Sequence, residues 1–245
     1  MKNYVIIGAN SAIAHEVALL YAQQKSSLFL VARNLESLNT FKTDLEEQGA
    51  NQVHLYQLDV LDFDRHRSMI DTAFSTMNTI DGVLIAHGTL PNQQDCQGEY
   101  DRTLKELEVN GLSVLSLLTE FANRFEEQKH GTLAVITSVA GDRGRQSNYI
   151  YGSAKALVST FLSGLRNRLA SSGVHVIDIR PGFVDTPMTA EFKKGLLWAS
   201  PKSVAKGIVN GIDRKKNVLY LPWFWWGIMS IICSIPEFIF KKLKL

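Results

Sequence analysis

Seven short apolar runs recur along the chain, each separated from the next by a longer segment, and this alternation limits the fold more than any other feature. The runs fall at 4–7, 28–32, 52–58, 83–86, 133–137, 174–179 and 218–221. As a set they lack the strict apolar–polar alternation of a strand with one wet face. Strands apolar on both faces belong in a parallel sheet covered by helices on both sides. Between them, the periodicity predicts helices at 12–24, 35–48, 64–77, 104–128, 151–170 and 201–213. Ser200 followed by Pro201 is a good helix start, a cap and then a residue whose missing N–H costs nothing there. The expected fold class is α/β, a doubly wound sheet of about seven parallel strands flanked by helices, whose ligands bind beyond the strand carboxyl ends. Residues 1–222 read as one such domain, and 223–245 as a hydrophobic C-terminal tail.

The first strand runs into Gly8-Ala9-Asn10-Ser11-Ala12-Ile13-Ala14 and then a helix. A turn in this place aims backbone N–H groups and a helix N-terminus at a pyrophosphate. Only Gly8 of the three fingerprint glycines is present; Ala12 and Ala14 add methyl groups where close approach is wanted, which predicts a slightly displaced turn. An ordinary strand–turn–helix is the alternative. The second strand ends in Arg33-Asn34, where an acidic residue would bind ribose hydroxyls and favour NAD. A guanidinium there suits a 2′-phosphate, so NADP(H) is expected before NAD(H). Asp59, at the end of the third strand, is placed to accept from an adenine amino group, or is simply a turn former.

Tyr151 and Lys155 put a phenol and an ammonium four residues apart on one helix face. A neighbouring cation is expected to lower the phenol's pKa from its ordinary value near 10, fitting it for proton exchange with a carbonyl or alcohol oxygen. Ser138 ends the fifth strand and can hydrogen-bond the same oxygen. Asn110 and Gly111 sit awkwardly inside a predicted helix, for a functional reason or as a local kink. After the sixth strand, Arg180-Pro181-Gly182-Phe183-Val184-Asp185-Thr186-Pro187 forms a rigid turn able to press a nicotinamide into place, with the Val184 backbone on the carboxamide and Thr186 near phosphate.

Gly8, Asp59, Asn110, Ser138, Tyr151, Lys155 and Pro181-Gly182 follow one another in the order and spacing of a known family, and over its whole length the chain resembles the short-chain dehydrogenase/reductases. The resemblance implies a Rossmann-type domain. It implies Tyr151 as acid/base, Lys155 on the nicotinamide ribose and tuning Tyr151, Ser138 orienting the carbonyl, and Asn110 supporting a proton relay through water. It further implies a dinucleotide cleft lined by Gly8, Asn10, Ser11, Ile13, Arg33, Asn34, Asp59, Val60, Ala86, Gly88, Tyr151, Lys155, Pro181, Val184 and Thr186. One departure is Ile85-Ala86-His87-Gly88, where the family carries Asn-Asn-Ala-Gly; His87 reads as structural. Within the family the likeness is to decaprenylphosphoryl-2-keto-erythro-pentose reductase-like members. It is carried by 138–143, 149–155, 180–182 with 188–190, and the tail segment 235–243. That points to a ketone on a lipid-linked sugar or other lipid-like substrate. A 3-oxoacyl or 3-keto-lipid reductase, and a non-catalytic dinucleotide-binding sensor, are the alternatives.

A net charge of +2 gives no case for a nucleic-acid partner, which needs clustered cations. Cys96 and Cys233 lie far apart, so neither a metal site nor a disulfide is expected. The chain opens on a strand without room for a signal peptide, and a cytoplasmic protein at the inner face of the membrane is expected. In the tail, the uncharged stretch 223–235 would span about 20 Å as a helix, short of the roughly 30 Å of membrane hydrocarbon. Trp223, Trp225 and Trp226 at one end and Lys241, Lys242 and Lys244 at the other suit a helix lying in the interface of an anionic membrane. A subunit contact in a homodimer or homotetramer is the alternative. Residues 188–199, with Leu196, Leu197 and Trp198, are expected to form a mobile lid over an apolar substrate.

Overall fold

The inner strands of the central sheet divide their side chains between two cores, and this follows from the two-sided apolarity of their runs. In the computed structural model, which describes residues 1–244, the strands are β1 (Asn3–Ile7), β2 (Ser27–Ala32), β3 (Gln52–Gln57), β4 (Gly82–Ile85), β5 (Gly131–Ile136), β6 (Val174–Pro181) and β7 (Val218–Leu221). They lie in the order β3-β2-β1-β4-β5-β6-β7, all parallel. Tyr4, Ile6, Leu28, Leu30, Leu84 and Ile177 face the core covered by α1 (Ala12–Gln23), α2 (Leu35–Glu47) and α8 (Pro201–Asp213). Their neighbours Val5, Ile7, Phe29, Val31, Val83 and Val176 face the core covered by α3 (His66–Met77), α6 (Ser113–Gln128) and α7 (Tyr149–Leu169). The order in which strands are added reverses between β1 and β4, and the crevice at that switch point is where such a sheet binds ligands.

Two helical features differ from the sequence reading. Residues 104–128 are not one helix: α5 (Tyr100–Leu107) passes through a π-helical turn at Glu108–Leu112 into α6. The π-turn accommodates Asn110 and Gly111, both buried. A short α4 (Gln93–Gly98) precedes it, started by Asn92, whose side-chain oxygen accepts from Gln94 N at 2.9 Å.

The tail packs on the domain. It forms α9 (Trp225–Ser234) and α10 (Glu237–Phe240), divided at Ile235, which takes an extended conformation before Pro236. Trp225 and Met229 form a small third core with Val139. Trp225, grouped by sequence with two other tryptophans as lipid-facing, is therefore 3% exposed, while Trp223 and Trp226 are 80% and 64% exposed. Helical spacing explains the division, since residues 225 and 229 share the inward face. Among the described residues, no helix is long and apolar enough to cross a membrane.

Candidate active site

At the carboxyl end of β1 the chain must turn sharply, and Gly8 makes this possible twice over. Its φ is +79°, and a β-carbon there would lie 2.5 Å from His87 N. Gly8 N and Ala9 N donate to Val31 O at 2.9 and 3.1 Å, and Ser11 N donates back to Gly8 O at 2.9 Å. Ser11 begins α1 without using its hydroxyl as a cap, which leaves the first-turn N–H groups free of a side-chain partner. Ala14 is fully buried between α1 and the sheet, so its methyl is absorbed as packing, and Ile13 is buried beside it.

Asn10 reaches from this turn to the end of β2. Its amide donates to Asn34 O at 3.4 Å and its carbonyl accepts from the Ser37 hydroxyl at 3.1 Å. Asn34 caps α2 through Glu36 N at 2.8 Å. Arg33 is exposed, with its carbonyl held by Gln57 Nε2 at 2.9 Å. Asp59 is half-buried; one carboxylate oxygen accepts from Leu61 N at 3.0 Å in an Asx turn, and Val60 O faces His66 Nε2 at 3.0 Å. Ala86 N donates to Ile7 O at 2.8 Å, carrying β4 alongside β1. An uncapped helix N-terminus, a glycine without room for a side chain and an exposed guanidinium at the end of β2 together fit a dinucleotide phosphate.

Beyond β4, Gly88 brings the two halves of the site together. A β-carbon on Gly88 would fall 2.7 Å from Asn110 Oδ1 and 3.4 Å from Lys155 Nζ. Asn110 Oδ1 accepts from Thr89 N at 3.0 Å, and its amide donates to Thr89 Oγ1 at 2.9 Å and Glu106 Oε2 at 3.1 Å. Neither Thr89 nor Glu106 was singled out from sequence, although Glu106 lies one helical turn before Asn110. The neighbouring His87 ring is tied to Ser113. Ser113 donates to Val109 O at 2.8 Å, so its oxygen accepts from His87 Nε2 at 2.9 Å. Burial first and the Lys155 charge second push the His87 pKa down to about 3, so the ring is neutral.

Tyr151 and Lys155 occupy the first turns of α7 as the spacing predicts. Lys155 is 4% exposed, with Nζ 5.5 Å from the centre of the Tyr151 ring and 3.4 Å from Ile136 O. The expected direction of the phenol's shift is reversed in the ligand-free chain: burial pushes Tyr151 up to about 12, opposed only by hydrogen bonding with Ser138. Burial also lowers Lys155, to about 8, with the Asp178 carboxylate pulling the other way. Ser138 starts a 3-10 turn, Val139–Gly141, and its oxygen accepts from Ala140 N at 3.1 Å. That turn lies close against α7. A β-carbon on Gly152 would meet Ala140 O at 2.7 Å, and one on Gly141 would meet the Lys155 carbonyl carbon at 2.9 Å.

Beneath this centre runs a charged network joining residues far apart in sequence. Arg180 donates through Nε to Asp178 Oδ2 at 2.8 Å and through Nη1 to Asp142 Oδ1 at 2.8 Å. The Tyr220 hydroxyl donates to Asp142 Oδ2 at 3.0 Å. Burial raises the Asp142 carboxyl even so; at Arg180 burial lowers the pKa, but the Asp178 and Asp142 carboxylates outweigh it and the guanidinium is raised. Paired charges at this depth are costly to break singly, which makes the network a rigid floor.

The turn after β6 rests on the tail. A β-carbon on Gly182 would lie 2.0 Å from the Trp225 indole. Phe183 stacks on Trp198 at 5.3 Å between centroids and meets Trp225 edge-on at 5.2 Å. Pro181 ends β6, and Val184 is buried and bridges to Ala199. Asp185 N donates to Ala199 O at 2.9 Å and Ala199 N to Phe183 O at 3.0 Å, so the intervening loop has a pinned base. Thr186 N donates to Thr189 Oγ1 at 3.2 Å within that loop. Leu196 and Leu197 are exposed in that loop.

Comparison with known proteins agrees with this architecture. A family model described as short chain dehydrogenase matches residues 2–196. An uncharacterised oxidoreductase of Mycobacterium tuberculosis is 30% identical over 239 residues, covering 98% of this chain and 96% of the relative. Another, from Streptomyces coelicolor, is 29% identical over 243 residues, covering 99% and 96%. Among solved structures, an alcohol dehydrogenase from the archaeon Thermococcus sibiricus, complexed with 5-hydroxy-NADP, matches with a TM-score of 0.78 at 22% identity, over 90% of this chain and 94% of that one.

Proposed function

The chain belongs to the short chain dehydrogenase family of oxidoreductases, and on that premise we propose that it uses NADP(H) to reduce a ketone on a lipid-linked sugar or another lipid-like substrate. The observation carrying this reading is geometric: Lys155 Nζ lies 5.5 Å from the centre of the Tyr151 ring, and the Ser138 turn packs against the same helix at the carboxyl end of the sheet. A protonated acid is what reduction consumes. Bound NADPH supplies the hydride. The Tyr151 hydroxyl delivers its proton to the carbonyl oxygen, and the Ser138 hydroxyl hydrogen-bonds the same oxygen as charge gathers there. Lys155 Nζ holds the nicotinamide ribose and stabilises the phenolate that Tyr151 becomes. Asn110, fixed by Thr89 and Glu106, supports the path by which that proton is replaced.

At the adenosine end, Gly8, Asn10, Ser11 and Ile13 receive the pyrophosphate, and Arg33 with Asn34 takes the 2′-phosphate, which makes NADP(H) the preferred cofactor over NAD(H). When the cofactor is bound, Asp59 and Val60 would border the adenine, Ala86 and Gly88 the adenosine ribose, Pro181 and Val184 the nicotinamide, and Thr186 a phosphate. The lipid-like character of the substrate is supported by exposed Phe183, Leu196 and Leu197 in the segment that follows β6. Exposed Trp223, Trp226 and Ile231, with Lys241, Lys242 and Lys244, support peripheral contact of the tail with an anionic membrane at its cytoplasmic face. Exposed Leu112 and Leu157 support assembly into a homodimer or homotetramer.

NADPH oxidation by detergent-solubilised protein tests the reading, against ketone lipids that include a keto-pentosyl polyprenyl phosphate and, as contrast, 3-oxoacyl thioesters. Turnover of the ketosugar lipid, lost in Tyr151→Phe, is expected. Turnover confined to the thioesters overturns the substrate class, and no oxidation with any ketone overturns the reductase itself.

A further inference from the structure

The Ser138 turn is packed on both sides. On one side Gly141 and Ala140 touch the backbone of α7 at Lys155 and Gly152. On the other, Val139 packs against Trp225 and Met229 of α9. The next residues of the same loop grip the tail. The Arg143 side chain is 15% exposed, and Nη1 donates to Ile232 O and Ile235 O at 2.7 Å each and to Cys233 O at 3.3 Å. Nη2 donates to Glu237 Oε2 at 2.9 Å, and the guanidinium carbon sits 3.6 Å from the centre of the Phe240 ring. One cation thus takes carbonyls at the end of α9 and the side-chain carboxylate of the first residue of α10 together. Asp142 binds Arg180 and Tyr220 from the floor of the site, while its carbonyl accepts from Cys233 Sγ at 3.6 Å.

We propose that Arg143 is a positioning residue: by capping α9 it clamps the tail onto the Ser138 turn and presses that turn against the helix carrying Tyr151 and Lys155. The tail is thereby a wall of the reaction centre, whatever else its outer face touches. A guanidinium suits the task because its donors diverge in a plane toward several carbonyls, whereas an ammonium on a longer flexible stem satisfies them less well. The proposal rests on the catalytic reading for its kinetic consequence, but the clamp itself is a statement about this chain alone.

Hydrogen exchange on the ligand-free protein separates the two. Arg143→Ala is expected to raise exchange about tenfold or more in peptides covering 138–143 as well as 225–235, with Arg143→Lys in between and Ser230→Ala, on the outer face of α9, unchanged. Faster exchange in 225–235 alone, with 138–143 as slow as in the wild type, overturns the clamp. NADPH-oxidation kinetics then form a double-mutant cycle with Ser138→Ala. Arg143→Ala is expected to lower kcat about tenfold or more in the wild type and less than about twofold once Ser138 is gone, with KM for NADPH little moved. Equal losses in both backgrounds overturn action through Ser138. If the wild type oxidises no NADPH, the reductase reading fails while the exchange result still stands for or against the clamp.

Discussion

Gly182 lies flat against the indole of Trp225, so closely that a β-carbon at 182 would stand 2.0 Å from Nε1 and Cε2. The contact joins the turn after β6 to the first turn of α9. Gly182→Ala is therefore expected to cost about 2–3 kcal/mol through overpacking. At about 2–4 °C per kcal/mol for a chain of this size, the melting temperature falls by roughly 4–12 °C. Thermal unfolding of Gly182→Ala with and without Trp225→Leu checks it: the smaller side chain should recover most of the loss.

Lys155 and Tyr151 leave opposite marks on stability against pH in the ligand-free protein. Lys155 falls from its ordinary 10.5 to about 8 on folding, so between those values the unfolded chain binds more protons and stability from this group rises with pH. Lys155→Met is expected to raise stability at pH 7 by up to about 3 kcal/mol, a gain that fades as pH approaches 10.5. Tyr151 rises from 10.0 to about 12, so its contribution is complete below pH 10 and lost as pH climbs through 12; Tyr151→Phe should flatten that fall. Urea unfolding of both variants over pH 7–11 reads the two slopes.

Arg33 stands exposed at the end of β2. Charge-assisted bonds to a phosphate contribute about 1.5–3 kcal/mol. Arg33→Ala should then weaken NADPH binding about 10- to 100-fold and leave NADH binding nearly unchanged. Fluorescence titration with both nucleotides decides it, and equal losses for both would remove Arg33 from cofactor choice.

Trp223 and Trp226 face outward while Trp225 is buried beneath the turn. Replacing the exposed pair with alanine should reduce flotation with anionic vesicles several-fold, with little effect on melting temperature, and raised salt should weaken what remains. Unchanged flotation would place membrane contact elsewhere.

The strands were legible because a parallel strand buried on both faces needs an apolar run, and that requirement is local. The Gly8 turn, the Tyr151–Lys155 pair and Ser138 were legible for a related reason: short-range spacing carries them. At Asn110 and Gly111 the sequence pointed to a local irregularity but not to its form, because a π-turn adds one residue to a helix without interrupting its apolar character. Short α4, with the polar sequence Gln93-Gln94-Asp95-Cys96, has no periodicity to betray it. The Asp142 network stayed hidden because Arg180 and Tyr220 lie 38 and 78 residues further along the chain. The direction of the Tyr151 shift was misread since a spacing argument sees the neighbouring charge and not the depth of burial.

The paired backbone bonds between residues 183–185 and Ala199 make the intervening loop a detachable module. Its length and side chains can drift, or be exchanged for another loop, while the closure at its root keeps the adjoining turn in register. Descendants of this scaffold could change what they accept without relearning the reaction, and a library confined to 187–197 is where altered selectivity should be sought.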